Sequence, residues 1–424
     1  MLIEFSVANY RSIREKQTLS MVATASNELR ETNTIETNLK GISPLLPCVA
    51  LYGANASGKS NLIQAMQVMR KIILNSNKGQ EQEPIAGIDP HALLRDQPTE
   101  FEIIFIQEGV RYQYGFSATR SAIHEEWLFA FPSLRAQKWL EREGNERNQW
   151  YINPKLKGDR EVWRNATRSN ALFLSTAAGL NGAQCKAIMA WFGLNLAGGK
   201  TADLGPFPTV EFCDDEVNTL AVRYFLQKAD LGIADFQITK KEFSLADYSG
   251  ELPAEIHQQL TKLLPGGKPA SIQNIHVHFV HTTENGESFL LDQSVESDGT
   301  RRLFELAGPW LHRLKNGLVT VVDELNDSLH PTLLRFLVAL FHNKEVNKRN
   351  AQLIFTAHDT TILDLDLLRR DQIWFIEKDK NQSSQLYPLS QFKPRKEEAL
   401  QKNYLQGRYG ALPYINHLFT HDME

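Results

Sequence analysis

Residues 47–74 read PCVALYGANASGKSNLIQAMQVMRKIIL, and this stretch decides the fold. It opens with a short apolar run rich in strand formers. The glycine-rich segment GANASGKS, Gly53 to Ser60, follows, and the apolar residues of 61–74 then recur at helical spacing. Strand, glycine-rich loop and helix, in that order, form the context in which G-x-x-x-x-G-K-S cradles phosphates. Gly53 and Gly58 let the backbone wrap tightly, so that amide N–H groups point inward. Lys59 would bring a cation to the β- and γ-phosphates, and Ser60 would offer its hydroxyl to Mg²⁺. The helix presents its positive end to the same anion. The expected ligand-binding segment is therefore Gly53, Ala54, Asn55, Ala56, Ser57, Gly58, Lys59, Ser60 and the adjoining Asn61, with ATP and Mg²⁺ as cofactors. A chance glycine-serine turn would not need both flanking elements.

Three further segments carry related chemistry. LVTVVDELNDSLHP, from Leu318, is an apolar strand that ends in Asp323 and Glu324. A carboxylate delivered at a strand end suits metal binding, which Asp323 would do. Glu324 would orient and polarise an attacking water. QLIFTAHD at 352–359 repeats the pattern and ends at His358, placed to hydrogen-bond a γ-phosphate. VESDGTRRLFELAG, from Val295, puts Ser297 and Gly299 at the start of a helix expected over 299–315. That segment is either a second anion site or simply a capped helix.

The remaining chain reads as follows. Residues 2–8 alternate like a strand, and 99–117 like a hairpin turning at Gln107, Glu108 and Gly109. Residues 75–98 are a polar loop, while 160–195 and 214–231 carry helical patterns. IHVHFVH at 275–281 is an alternating strand. A helix after Pro331 and strands at 318–322, 352–358 and 372–378 complete an alternating order that predicts a mostly parallel sheet. The expected fold class is α/β, assembled from the two ends of the chain. Residues 1–150 form one half with the phosphate loop, 151–270 an inserted, mainly helical lobe, and 271–424 the other half.

Composition narrows the function classes. The 424 residues carry a formal net charge of −4, so no global basic field draws the chain to nucleic acid. Lys155, Lys157, Arg160, Arg164 and Arg168 form one local basic cluster, and Lys393, Arg395, Lys396 and Lys402 another. Acidic neighbours make both read as solvated faces, although contact with nucleic acid stays open. Cys48, Cys185 and Cys213 have neither metal-ligand nor disulfide spacing, which points to a reduced, cytoplasmic protein. The opening residues do not have the pattern of a secretory leader, and no apolar run is long enough to span a bilayer. His276, His278 and His281 do not share one strand face, so a metal site there is not expected.

The order of phosphate loop, S-D-G-T before a helix, strand with Asp-Glu, and strand with His resembles the ABC-type ATPase heads of the SMC and RecF kind. That resemblance implies a head-to-head homodimer with ATP sandwiched between subunits, in which Ser297 and Gly299 act in trans. SLHP at 328–331 stands where those families carry the D-loop. More narrowly, FSVANYRSI, ESDGTRRLFELAG, VVDELNDSLHP, QLIFTAHDTTILDLDLLRRDQIWFIEK and YLQGRYGALP resemble the RloA/AbiL-like ATPases of bacterial anti-phage and abortive-infection loci. FLSTAAG at 173–179 and the run at 228–233 add to that likeness.

The resemblance implies a slow ATPase that senses infection and controls a separate effector, such as a nuclease or toxin encoded nearby. A RecF-like DNA-maintenance ATPase and a scarcely hydrolysing ATP-bound scaffold are the alternatives. The sequence departs from the ABC pattern at Asp298, which has no assigned role. The metal-contacting glutamine is also unplaced, with Gln97 and Gln107 as candidates. Arg11 and Ser12 stand either near the nucleotide or in an ordinary turn.

Overall fold

The computed structural model describes residues 1–37, 39–200, 205–229, 232–244, 271–395 and 398–413. Two compact units divide this chain. The first comprises 1–203 and 313–424, and the second 204–312. Residues 151–200 lie in the first unit and residues 271–312 in the second. The reason lies in strand pairing. Leu196–Lys200 joins the phosphate-loop sheet, whereas Ser271–Thr282 pairs with Ile233–Ser244.

The first unit holds two sheets. One has seven strands, all antiparallel, in the order Gln17–Ser20, Leu2–Ala8, Thr99–Gln107, Val110–Ala118, Ile123–Phe131, Gln137–Glu143 and Tyr151–Ile152. Its central hairpin turns at Glu108 and Gly109, both at positive φ, the conformation a two-residue hairpin turn requires. The other has six strands, in the order Ser384–Pro388, Ile373–Lys378, Cys48–Tyr52, Gln352–Thr356, Val319–Asp323 and Leu196–Lys200. All its pairings are parallel except that of the first two strands. The inner strands are buried on both faces, which accounts for their nearly continuous apolar sequence. The expected α/β class with a mostly parallel sheet in the C-terminal part is what this unit has.

Helix Lys59–Asn75 joins the sheets. It buries Leu62, Ile63, Ala65, Met66, Met69, Ile72 and Ile73 in a core that also takes Phe5, Phe101, Val49, Val321 and Ile354. Gln352 adds a polar tie. Its amide accepts from Leu2 N at 2.6 Å and donates to Leu2 O at 3.0 Å and Leu46 O at 3.2 Å.

The 160–195 segment forms helices Arg160–Ala166, Phe173–Gly179 and Ala183–Ala190 and a π-turn at Trp191–Asn195. The strand Leu196–Lys200 then begins, where the sequence showed only the end of an apolar run. Gly198 is required there because a Cβ would lie 2.0 Å from Val321 O of the adjoining strand.

The second unit contains helices Phe207–Phe212 and Glu216–Lys228 and the three-stranded antiparallel sheet Ile233–Ser244, Ser271–Thr282 and Ser288–Asp292. It also holds the residues of helix Asp298–Asn316 up to His312. Phe236 and Phe279 meet Phe304 edge-on, at 5.4 and 5.5 Å. Pro309 lies inside this helix and has no N–H to give the Glu305 carbonyl. Thr209 Oγ1 donates to Phe304 O at 2.7 Å, lies 3.1 Å from the Glu305 carbonyl and accepts from Gly308 N at 3.0 Å, so a polar group faces the interruption. Asp230 and Leu231, part of the 228–233 run, lie outside the described residues, as does Lys396 of the second basic cluster.

Glu126 is the deepest carboxylate of the seven-stranded sheet. Its oxygens accept from Phe173 N at 2.6 Å, Leu174 N at 3.0 Å and Tyr114 Oη at 2.9 Å, and lie 3.7 Å from Arg142. It thereby caps helix Phe173–Gly179, whose own N-cap position, Leu172, has no side-chain acceptor. Glu126→Ala removes one acceptor from all four partners. Urea unfolding is expected to show a loss of about 3–5 kcal/mol; an unchanged midpoint would mean the carboxylate is dispensable.

Candidate functional site

The Cys48–Tyr52 strand delivers the chain to Gly53, and helix Lys59–Asn75 receives it after Gly58. Between them the backbone turns back tightly. Ala56 has φ +62° and Gly58 φ +114°, and a Cβ on Gly58 would lie 2.3 Å from Ser384 Oγ. A Cβ on Gly53 would lie 2.2 Å from Ile376 O. Both glycines of the motif are thus fixed by packing, and Gly58 by its conformation as well. No side chain caps the helix, and no acidic residue lies in its first turn, which leaves the positive end suited to an anion. Ser57 Oγ is buried without a hydrogen-bond partner.

Lys59 is 6% exposed and donates to Gly53 O at 2.7 Å and Ala54 O at 3.0 Å. Its ammonium therefore lies on the inner side of the loop. Burial holds its pKa down at about 8, against the opposite pull of Asp323 and Glu324. Asp323 ends its strand fully buried. Its Oδ1 accepts from Thr356 Oγ1 at 2.7 Å, and the same hydroxyl accepts from Glu324 N at 2.7 Å. Glu324 has φ +58°, so the chain leaves the sheet at that residue. His358 is exposed beyond the next strand, and its backbone N donates to Asn326 Oδ1 at 3.0 Å. Burial of the ring, and then the Lys59 cation, push its pKa below the usual histidine range, which favours neutral imidazole near pH 7.

The structure therefore brings Lys59, Asp323, Glu324 and His358 into one electrostatic neighbourhood. Ser60 and Asn61 lie in the first turn of the helix beside it. The donor set fits a nucleotide with its metal. It offers a glycine cradle, a buried lysine, a hydroxyl at Ser60 and a buried carboxylate at Asp323, the hard oxygen ligands Mg²⁺ prefers. Ser297 and Gly299 belong to the second unit. Ser297 Oγ caps the helix, accepting from Thr300 N at 3.1 Å, and the residue is exposed.

One neighbour of the loop, Ser384, was not singled out by the sequence. Ser384 Oγ donates to Ser57 O at 2.5 Å and lies 2.8 Å from Ser12 Oγ, and Asn61 Nδ2 donates to Ser12 Oγ at 2.7 Å. Of the Arg11–Ser12 pair, Ser12 thus lies against the loop, whereas Arg11 pairs with Asp89 at 3.1 Å and also donates to Gln64. Gln97 is exposed before the Thr99–Gln107 strand, and Gln107 ends that strand at its hairpin turn. Neither stands at the loop's own contacts.

On the histidine-rich strand, His278 Nε2 lies 3.5 Å from Asp292 Oδ2 and His281 Nε2 lies 2.5 Å from Glu296 Oε1. Among the described residues no three His, Cys, Asp or Glu side chains are grouped to hold a metal ion, and no helix is long and apolar enough to cross a membrane.

Lys59 gives the site a pH signature. Its folded pKa of about 8 lies below its ordinary 10.5, so between these values the unfolded chain binds more protons than the folded one. Stability through this residue therefore rises with pH across that window. Lys59→Met abolishes the contribution. The unfolding free energy of the parent minus that of the variant should become more positive from pH 8 to 10.5, and a flat difference would mean an ordinary lysine.

No curated protein matches the chain. Two solved structures are similar at low superposition scores. One is described as "Crystal structure of the SmcHead bound to the C-winged helix domain of ScpA", with 11% identity, 93% of this chain and 99% of that one covered, and a TM-score of 0.39. The other is "Structure of the recombination mediator protein RecF-ATPrS in RecFOR pathway", with 12% identity, 88% and 97% covered, and a TM-score of 0.36. A family model described as "AAA domain, putative AbiEii toxin, Type IV TA system" matches residues 48–364, from the strand before the phosphate loop to just past His358. Over those residues, most of its length, the chain belongs to this AAA-domain family.

Proposed function

We propose that the chain is an ABC-type ATPase of the RloA/AbiL-like kind, which binds and slowly hydrolyses ATP and acts as a switch in bacterial anti-phage defence. The observation that carries the ATPase reading is the proximity of Asp323, Glu324 and His358 to the Lys59 ammonium, which lies against the Gly53–Ser60 loop. Lys59 holds the phosphates, and Ser60 and Asp323 hold the metal. Bound Mg²⁺ supplies positive charge to the phosphate oxygens. Glu324 orients water and takes its proton, as a carboxylate at a strand end can. His358, neutral near pH 7, donates one hydrogen bond to the terminal phosphate.

The site is completed by a second copy of the chain. Ser297 and Gly299 start a helix with an exposed serine and no role in the loop's own hydrogen bonds, and they serve the partner's nucleotide. The dimer closes with ATP and reopens after hydrolysis, because the ligand binds the two states with different affinity. The defence role, and control of a nuclease or toxin, rest on the sequence resemblance and on a family description that names a putative toxin. Direct DNA binding of the RecF kind has less support. In the first basic cluster Arg164 pairs with Glu161, and Arg168 donates to Ser76 O at 3.0 Å.

Lys59→Ala should weaken ATP binding by about 30- to 1,000-fold, the scale of removing one partner of a buried charge-assisted contact. Unchanged affinity by calorimetry would sink the phosphate-loop assignment. Glu324→Gln should retain ATP, slow its hydrolysis by about 10²–10⁴-fold, and accumulate as an ATP-bound dimer in light scattering. Hydrolysis at the parent rate would remove Glu324 from the mechanism.

A further inference from the structure

The C-terminal segment 398–411 packs against the site, and nothing in the reaction described above uses it. Helix Leu400–Leu405 puts the Tyr404 ring 6.0 Å from that of Tyr52, the last strand residue before Gly53. The same ring stacks on Phe375 at 5.4 Å, and Phe375 is the register partner of Tyr52 in the neighbouring strand. Tyr404 Oη donates to Ala411 O at 3.1 Å, and Ala411 N donates to Glu377 Oε2 at 2.8 Å. Gly410, at φ +70°, leaves no room for a side chain: a Cβ would lie 2.5 Å from Glu377 Oε2. The segment is thus fastened at both ends.

Two hydrogen bonds run from this assembly to the residues after His358. Tyr52 Oη donates to Asp359 O at 2.9 Å, and Gln401 Nε2 donates to Thr360 Oγ1 at 3.0 Å. Asp359 in turn accepts from Thr361 N at 2.8 Å and caps the short helix Thr360–Ile362. On the other flank, Ala357 N donates to Leu51 O at 3.1 Å. His358 is therefore an exposed residue whose backbone is held before it by the sheet and after it by Tyr52, while Gln401 holds the Thr360 side chain. A side chain that must meet a phosphate needs such a rigid mount.

We infer that Tyr52 and Gln401 are positioning residues through which the C-terminal segment sets the place of His358. The segment is a brace for the histidine loop, and loosening it slows hydrolysis without weakening ATP binding. This inference rests on the ATPase reading only for its kinetic consequence.

The double variant Tyr52→Phe/Gln401→Ala tests it. The first change keeps the ring against Tyr404, and the second is at an exposed position, so the fold is retained. In nucleotide-free protein, hydrogen exchange of peptide 357–362 should speed up roughly tenfold, the scale of one to two lost hydrogen bonds. Exchange in helix 59–75 should stay as in the parent. Parent-like exchange at 357–362 would overturn the brace. In the same proteins, kcat for ATP should fall about tenfold while the ATP dissociation constant stays within about twofold. A parent-like kcat beside faster exchange would overturn the link to hydrolysis. Failure of the ATPase reading would show differently, as a parent protein that does not hydrolyse ATP, and the exchange result would still decide whether the segment braces the loop.

Discussion

The Thr356 hydroxyl connects the parts of this site. It donates to Asp323 and accepts from the amide of Glu324. Thr356 ends the strand that lies between the phosphate-loop strand and the Asp323 strand. One buried hydroxyl therefore fixes both the carboxylate suited to metal and the backbone of the residue suited to polarise water. A threonine can do this because its single oxygen donates once and accepts as well. Valine would fill the same space but leave a buried carboxylate and an amide short of a partner, which is costly in a low-dielectric interior.

Parallel strand order turns that local contact into a site. Parallel strands present their C-terminal ends on one edge, where the crevice of an open α/β sheet lies. Tyr52, Asp323 and Thr356 all end their strands at that edge, so Gly53, Glu324 and His358 emerge close together although they are separated by up to about three hundred residues of chain. The seven-stranded sheet holds the other face of the phosphate-loop helix, and Gln352 fastens Leu2 to the central strand. Burial then tunes the chemistry: it lowers the pKa of Lys59 and keeps His358 toward its neutral form.

Much of this was legible because it is local. Residues 47–74 carry strand, loop and helix in one continuous pattern, and the runs before Asp323 and His358 are apolar for the plain reason that both faces of their strands are buried. What was not legible depends on contacts between distant residues. Thr356 looks like any strand residue until its neighbour is known. Ser384 lies against the loop through a hydrogen bond to Ser57 O that spans 327 positions, and no spacing rule predicts it. Leu196–Lys200 contains two glycines and has weak strand propensity, so it becomes a strand only where a close backbone approach to Val321 demands it. The strands from 123 to 152 alternate between the core and exposed charge, a weaker signal than a continuous apolar run.

On the proposed function, the loop is half of a site that Ser297 of another copy completes. Complementation measures this directly. Lys59→Ala protein has an intact Ser297 but a disabled loop, and Ser297→Ala protein has the reverse. Each alone should be nearly inactive. Equal mixtures that exchange subunits freely form heterodimers in about half of the population, each with one whole site, so ATP hydrolysis should recover to about a quarter of the parent rate. A mixture no more active than its components would contradict the claim.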